Sequence, residues 1–266
     1  MKRYLIIAVV LACLAFTPAY AAHRSRKSRP QAQTPAPNIY TDPAISIQWG
    51  AFTGNAEPLG QWQAFFVGDG DSFSQDAQGF TEPLVVYWES NLTASQIASG
   101  QADPFLKQWA IQMQSYPREV IFDVLDEMNG SWSAYSGDPA EYIAAYRHVR
   151  SFFPASSNIK FAYDPNVAFP GVPTSSFLSY YPGSAYVDVV GLDGFNFGGQ
   201  TFPQVFGQSL SAMQNFGKPL WIFSTGSVAP QAQFVSDLVS EAPGYGVQGF
   251  IWFDWQQFSL STGVSL

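Results

Sequence analysis

Eight short apolar or β-branched runs recur along the chain: Ile45–Trp49, Ala64–Val67, Leu84–Trp88, Val120–Leu125, Ile159–Tyr163, Val187–Leu192, Leu220–Phe223 and Val247–Trp252. Each is too short for a helix, and a strand that is apolar along most of its length is buried on both faces, as parallel strands are. Helical segments with readable start signals lie between several of them. Thr93 precedes Ala94-Ser95-Gln96-Ile97, and Asp138-Pro139 precedes a segment that opens at Glu141. Apolar residues spaced by three and four mark Phe202–Phe216 and Ala232–Val239, which stop at Gly217 and at Pro243-Gly244. Strands alternating with helices demand parallel pairing, and eight such units predict the α/β class and a closed (β/α)8 TIM barrel. The first two units are irregular, and little chain follows the eighth run, so the last helix is expected to be absent or vestigial.

Residues 40–266 are long enough for one domain with a full core, and no internal repeat or second linker divides them. Residues 1–21 read as a signal peptide: Lys2 and Arg3, the apolar run Leu5–Phe16, then Ala19-Tyr20-Ala21. The expected location is therefore outside the cytoplasm, extracellular or periplasmic. The apolar run is too short to span a bilayer. Val10-Leu11-Ala12-Cys13 loosely resembles a lipoprotein cleavage site, but Leu11 fits poorly and the apolar run continues past Cys13, so secretion is read in preference to a lipid anchor. Residues 22–39, basic and interrupted by Pro30, Pro35 and Pro37, read as a flexible linker.

Signal and linker hold six of the twelve basic residues, which leaves six against all 20 acids and a formal charge of about −14 on the domain. Nucleic acid is excluded as a partner by that charge. The single cysteine is Cys13, so the domain has neither a disulfide framework nor a thiolate metal site, and no metal-ligand spacing calls for a cofactor. A monomer is expected.

Barrels of this kind carry chemistry at the carboxyl ends of their strands. Those ends are rich in acids, amides and aromatics: Trp88-Glu89, Asp126-Glu127-Met128-Asn129, Tyr163-Asp164-Pro165-Asn166, Asp193-Gly194-Phe195-Asn196, Ser224-Thr225-Gly226-Ser227 and Trp252-Phe253-Asp254-Trp255. The fourth end is the most informative. Glu127 is placed to give a proton to a leaving oxygen, Asn129 to hold a hydroxyl, and Trp132 to stack on a pyranose ring. Trp88, Tyr163, Phe195, Asn196, Trp252 and Trp255 complete the expected substrate-binding set. Phe65, Trp109, Phe122, Phe161, Trp221 and Phe250 are expected in the core. His148 reads as a satisfied helical residue, and Asn91-Leu92-Thr93 as a helix cap rather than a glycosylation site.

With these motifs in view, the chain resembles glycoside hydrolase family 26, best known for endo-β-1,4-mannanases. The resemblance rests on Glu127-Met-Asn-Gly-Ser-Trp132, Tyr146-Arg-His-Val149, Tyr181-Pro-Gly183 followed by Val187–Gly194, Lys218-Pro-Leu-Trp-Ile222 before Thr225-Gly226-Ser227, and Gly249–Asp254. It implies a neutral β-linked polysaccharide as partner, and a retaining mechanism with an acid/base glutamate after strand four and a nucleophilic glutamate after strand seven. Glu127 matches the first. Ser224 stands where the second is expected. Asp123 and Asp126 replace an arginine and a histidine of the family pattern, and Phe195 replaces a tyrosine.

A retaining site needs two carboxyls about 5 Å apart, one of them forming a covalent sugar ester. Ser224 cannot do this without an adjacent base. Three readings follow. Glu127 remains the acid while Asp193, Asp164 or Glu89 activates water across about 6.5–9.5 Å, with inversion; or the protein is a catalytically inactive descendant that binds glycans; or it is a structural surface protein.

Overall fold

The computed structural model describes residues 47–54, 59–153, 158–228, 230–261, 264 and 266. The expected signal peptide, the linker and the start of the first expected strand lie outside these residues. Nine parallel β-segments build the sheet: β1 (Gln48–Phe52), β2 (Trp62–Gly68), β3 (Leu84–Glu89), β4 (Val120–Val124), β5 (Ile159–Tyr163), β6 (Val189–Val190), β7 (Asp193–Asn196), β8 (Leu220–Ser227) and β9 (Val247–Phe253). The order is β6-β5-β4-β3-β2-β1-β9-β8-β7, and a further β6–β8 pairing closes the ring. This is the expected (β/α)8 barrel, because β6 and β7 are two halves of one barrel strand.

That strand breaks at Gly191-Leu192, where a single continuous run Val187–Leu192 was expected. A Cβ on Gly191 would meet the Phe223 ring at 2.2 Å, so only glycine lets the two strands approach while that ring sits inside the barrel. Among the described residues the first strand runs from Gln48. At the other end β8 continues four residues past Phe223, because Asp193↔Ser224 and Asn196↔Ser227 pair it with β7. Polar residues anticipated beyond the strand are thus part of the sheet. A register shift between Ile222 and Thr225 inserts one residue relative to β9.

Helices α1 (Phe73–Asp76), α2 (Ala94–Ala98), α3 (Asp103–Gln114), α4 (Pro139–Ser151), α5 (Ser175–Tyr180), α6 (Gln208–Met213) and α7 (Gln231–Glu241) connect the strands. Thr93 and Gln96 form a reciprocal capping box on α2, and Asp138 accepts from Ala140 N and Glu141 N at the start of α4. A π-turn, Pro203–Gly207, leads into α6. After β9 the described residues contain one short turn, Gln256–Phe258. Among the described residues, no helix is long and apolar enough to cross a membrane.

Strand alternation sorts the side chains. Leu84, Val86 and Trp88 of β3, Phe122 of β4, and Phe161 and Tyr163 of β5 join the apolar layer beneath the helices, where Trp88, Trp109 and Phe105 pack edge to edge. Inside, the barrel is divided. Phe52, Phe66, Tyr87 and Phe253 fill the half built by β1, β2, β3 and β9, with ring centroids 4.6–5.0 Å apart between successive members of the group. Asp123, Asp164 and Asp193 belong to the other half. At the amino ends of the strands Gln48, Ile121, Lys160, Trp221 and Gln248 line a cavity of about 270 Å³, at the pole opposite the candidate chemistry.

Candidate active site at the carboxyl ends of the strands

The chain leaves β4 through two left-handed residues, Leu125 (φ 60°) and Glu127 (φ 51°). Non-glycine residues reach this region at a cost of about 1–3 kcal/mol each, so the surroundings must hold them there. Glu127 N donates to Asp164 O at 2.8 Å, and Gly130 N donates to Glu127 O at 2.9 Å. The Glu127 carboxyl is then gripped on both oxygens. Trp132 Nε1 donates to Oε2 at 2.6 Å, and Asn166 Nδ2 donates to Oε1 at 2.6 Å. Gly130 makes the first of these contacts possible, because any Cβ there would lie 2.3 Å from the Trp132 indole.

Burial raises the Glu127 pKa above the ordinary glutamate value, and the Trp132 and Asn166 hydrogen bonds pull it part of the way back. A carboxyl held by two donors, with its proton affinity raised by desolvation, suits a general acid. Asn129 contributes indirectly. Its Nδ2 donates to Asn166 O at 2.8 Å and its Oδ1 accepts from Asn166 N at 2.9 Å, so it fixes the backbone of the residue that holds Glu127.

From Asn166 the site continues across the sheet. Asn166 bridges to Asp193, and Asp193 pairs in register with Ser224. Glu127, Asp193 and Ser224 therefore occupy the same end of parallel strands. Ser224 is buried, with 6% of its surface exposed. Asp123, Asp126, Asp164 and Asp193 all have raised pKa values, with burial as the first cause, and Asp123 is pushed up to about 7. For Asp126 the like charges of Asp123, Glu89, Asp193 and Glu127 add to burial. Among the described residues, no group of three or more His, Cys, Asp or Glu side chains is arranged to hold a metal ion.

Of the expected binding residues, the structure brings Trp132, Trp255 and Phe195 to the mouth, each partly exposed. Trp132 stacks on Phe169, centroids 5.5 Å apart, and Phe195 packs on Phe258 at 4.7 Å. Trp88, Tyr163 and Trp252 are not brought there. All three are fully buried, and their polar atoms are engaged with Asp69, Phe177 O and Phe258 O. Their parity along the strands points them to the helix layer. Asn196 is also buried and spends its amide on Ser227 Oγ, Gly198 N and Gln200 N. His148 bonds Asp103 across the helix layer at 2.7 Å.

Sequence reading did not single out Asn166, Phe169 or Phe197 for the site. Asn166 was visible only as part of the strand-five tail, and Phe169 carries no local signal because its partner, Trp132, comes from another loop. Phe197 is 38% exposed beside Phe195.

The sequence model of Glycosyl hydrolase family 26 matches residues 94–255, a span that includes this grip on Glu127. The chain belongs to glycosyl hydrolase family 26. Endoglucanase H of Acetivibrio thermocellus is 34% identical over 157 residues, which is 52% of this chain and 17% of that protein. A mannan endo-1,4-beta-mannosidase of Bifidobacterium adolescentis is 35% identical over 83 residues, 29% of this chain and 8% of that protein. The chain thus spans less than a fifth of the length of either relative. Among solved structures, a family 26 beta-mannanase from Bacteroides ovatus superposes with a TM-score of 0.58 at 16% identity, covering 84% of this chain and 85% of that one. At that identity the likeness bears on the fold alone, and the family 26 barrel is shared.

Proposed function

We propose that this family 26 protein is secreted through residues 1–21, acts as a monomer, and hydrolyses a β-linked polysaccharide of the mannan or glucan type, with Glu127 as general acid. The double hydrogen-bonded grip of Trp132 and Asn166 on Glu127 carries this reading. A purely structural protein has no use for a carboxyl held in strained backbone at the mouth of a barrel. The substrate class follows from the names of the relatives, an endoglucanase and a mannan endo-1,4-beta-mannosidase. Trp132, Trp255 and Phe195 supply the apolar faces that a pyranose chain needs. Retention through a glycosyl-enzyme ester is not available, because Ser224 supplies a hydroxyl where that path needs a carboxylate.

The same substitution supports a second reading, a glycan-binding member without turnover. Reducing-end release from mannan, glucan and xylan by wild type and Glu127→Gln separates the two. Hydrolysis that disappears with Glu127→Gln supports the first; calorimetric binding of oligosaccharides with no product, weakened by Trp132→Ala, supports the second. Equal turnover by both proteins would remove Glu127 from the mechanism.

A further inference from the structure

Phe197 is held in water by the structure around it. Asp193, Phe195 and Phe197 alternate along β7 and one residue past its end, and exposure rises in that order: Asp193 is 4% exposed, Phe195 partly exposed and Phe197 38% exposed. The rings of Phe195 and Phe197 lie 6.2 Å apart, so the column continues beyond the strand. The space beneath is already taken. Phe258 is fully buried, its ring 4.7 Å from Phe195 and 5.6 Å from Phe197, and it rests on Gly226, where any Cβ would lie 2.7 Å from the Phe258 Cβ. Phe197 therefore cannot fold inward. The chain that follows it is tied as well: Asn196, fully buried, donates to Ser227 Oγ at 2.9 Å and accepts from Gly198 N at 3.0 Å and Gln200 N at 3.1 Å. Gly198 (φ 153°) and Gly199 (φ 72°) complete the turn, and a Cβ on either would meet nothing within 4 Å. The ring stands beside open space.

Three large apolar side chains are exposed among the described residues, and the other two, Ile111 and Leu178, lie on helices α3 and α5. Phe197 alone of the three is at the pole that carries Glu127. A single ring is too small a patch for a protein partner, which needs several hundred Å². It suits one flat face of a pyranose. The column also starts beside the acid, because Asn166, whose Nδ2 donates to Glu127 Oε1 at 2.6 Å, bridges to Asp193 at its foot. From that foot to Phe197 the chain advances ~13 Å, at about 3.3 Å per extended residue. We propose, on the reading of this mouth as a glycan cleft, that Phe197 is the stacking platform of an outlying subsite. It takes one unit of the β-linked chain, remote from the bond that Glu127 serves, and gives the cleft its preference for long chains over short ones.

The test uses the full chain with Phe197 intact and as Phe197→Ala, Phe197→Leu and Phe197→Trp, each in a Glu127→Gln background so that the ligand stays whole. Calorimetry with β-1,4-linked manno- and gluco-oligosaccharides, from disaccharide to hexasaccharide, reads affinity against length. Affinity should rise with length when Phe197 is intact. In Phe197→Ala the gain from disaccharide to hexasaccharide should shrink about 3- to 10-fold, the scale of one ring contact. Phe197→Leu, which keeps the apolar bulk and loses the flat face, should shrink it equally, and Phe197→Trp should keep it. With Glu127 restored, cleavage of the hexasaccharide by Phe197→Ala should show the loss in KM rather than in kcat. A length dependence unchanged in Phe197→Ala, a loss equal at every length, or a Phe197→Trp as weak as the alanine variant would overturn the subsite while leaving the function proposed above intact. Absence of both binding and cleavage with Phe197 and Glu127 intact would instead overturn the glycan reading, and the subsite with it.

Discussion

Trp132 Nε1 lies 2.6 Å from Glu127 Oε2, five residues back along the same loop. A donor aimed at a carboxylate stabilises its charged form, so this contact opposes the desolvation that raises Glu127. Trp132→Phe removes the donor and keeps an aromatic face. The Glu127 titration should move to higher pH, read by carboxyl NMR or as an upward shift of the alkaline limb of the pH–rate profile. An unmoved limb would disconnect the pair.

Removing the acid while keeping its shape should separate chemistry from folding. Glu127→Gln is expected to lose about 10²–10⁴-fold in kcat, the contribution typical of a general acid. Its fold should persist, because the glutamine oxygen still accepts from Trp132. Steady-state rates beside circular dichroism check both halves of the expectation.

The buried acids predict an unusual pH dependence of stability. Asp123 titrates at about 7 in the folded protein and near 3.9 in an unfolded chain, so between those values the folded state binds more protons. Stability is then fully present below about pH 4 and falls, by on the order of a few kcal/mol, as pH rises through 7. Asp126, Glu127, Asp164 and Asp193 are raised too and act with the same sign. Thermal melts from pH 4 to pH 8 should show Tm decreasing, less steeply in Asp123→Asn. A Tm that rises over this range would contradict the burial of these groups.

Two tryptophans with similar surroundings in the sequence should behave differently. Trp88 is fully buried against Trp109 and Phe105, and its truncation to alanine should cost about 3–5 kcal/mol in chemical denaturation. Trp132 is partly exposed, and its truncation should cost less stability while weakening oligosaccharide affinity in calorimetry. The reverse pattern would exchange their roles.

Much of the barrel is legible in the residues themselves. Short apolar runs, several of them followed by helical segments, leave parallel pairing as the economical way to bury both strand faces, and eight of them close the ring. Boundaries were less legible where glycine and polar residues carry the strand. The sixth strand breaks at Gly191, where the ring of Phe223, 32 positions later in the chain, leaves room for glycine alone, and Ser224–Ser227 extend β8 because β7 lies beside them. No local pattern encodes either fact.

For the site, the sequence by itself determined the chemical inventory: an acid at Glu127, a hydroxyl where a second carboxylate is expected, and acids at several strand ends. Tertiary structure alone decided which of these meet. Whether a strand-end aromatic such as Trp88, Tyr163 or Trp252 faces the mouth or the helix layer depends on the parity and tilt of its strand, which the composition of the run does not specify. Likewise the convergence of Asn166 on Glu127, and of Asp123, Asp164 and Asp193 on one another, exists only because closing the barrel brings separate strands to a common interior, where desolvation turns ordinary acids into proton-holding groups.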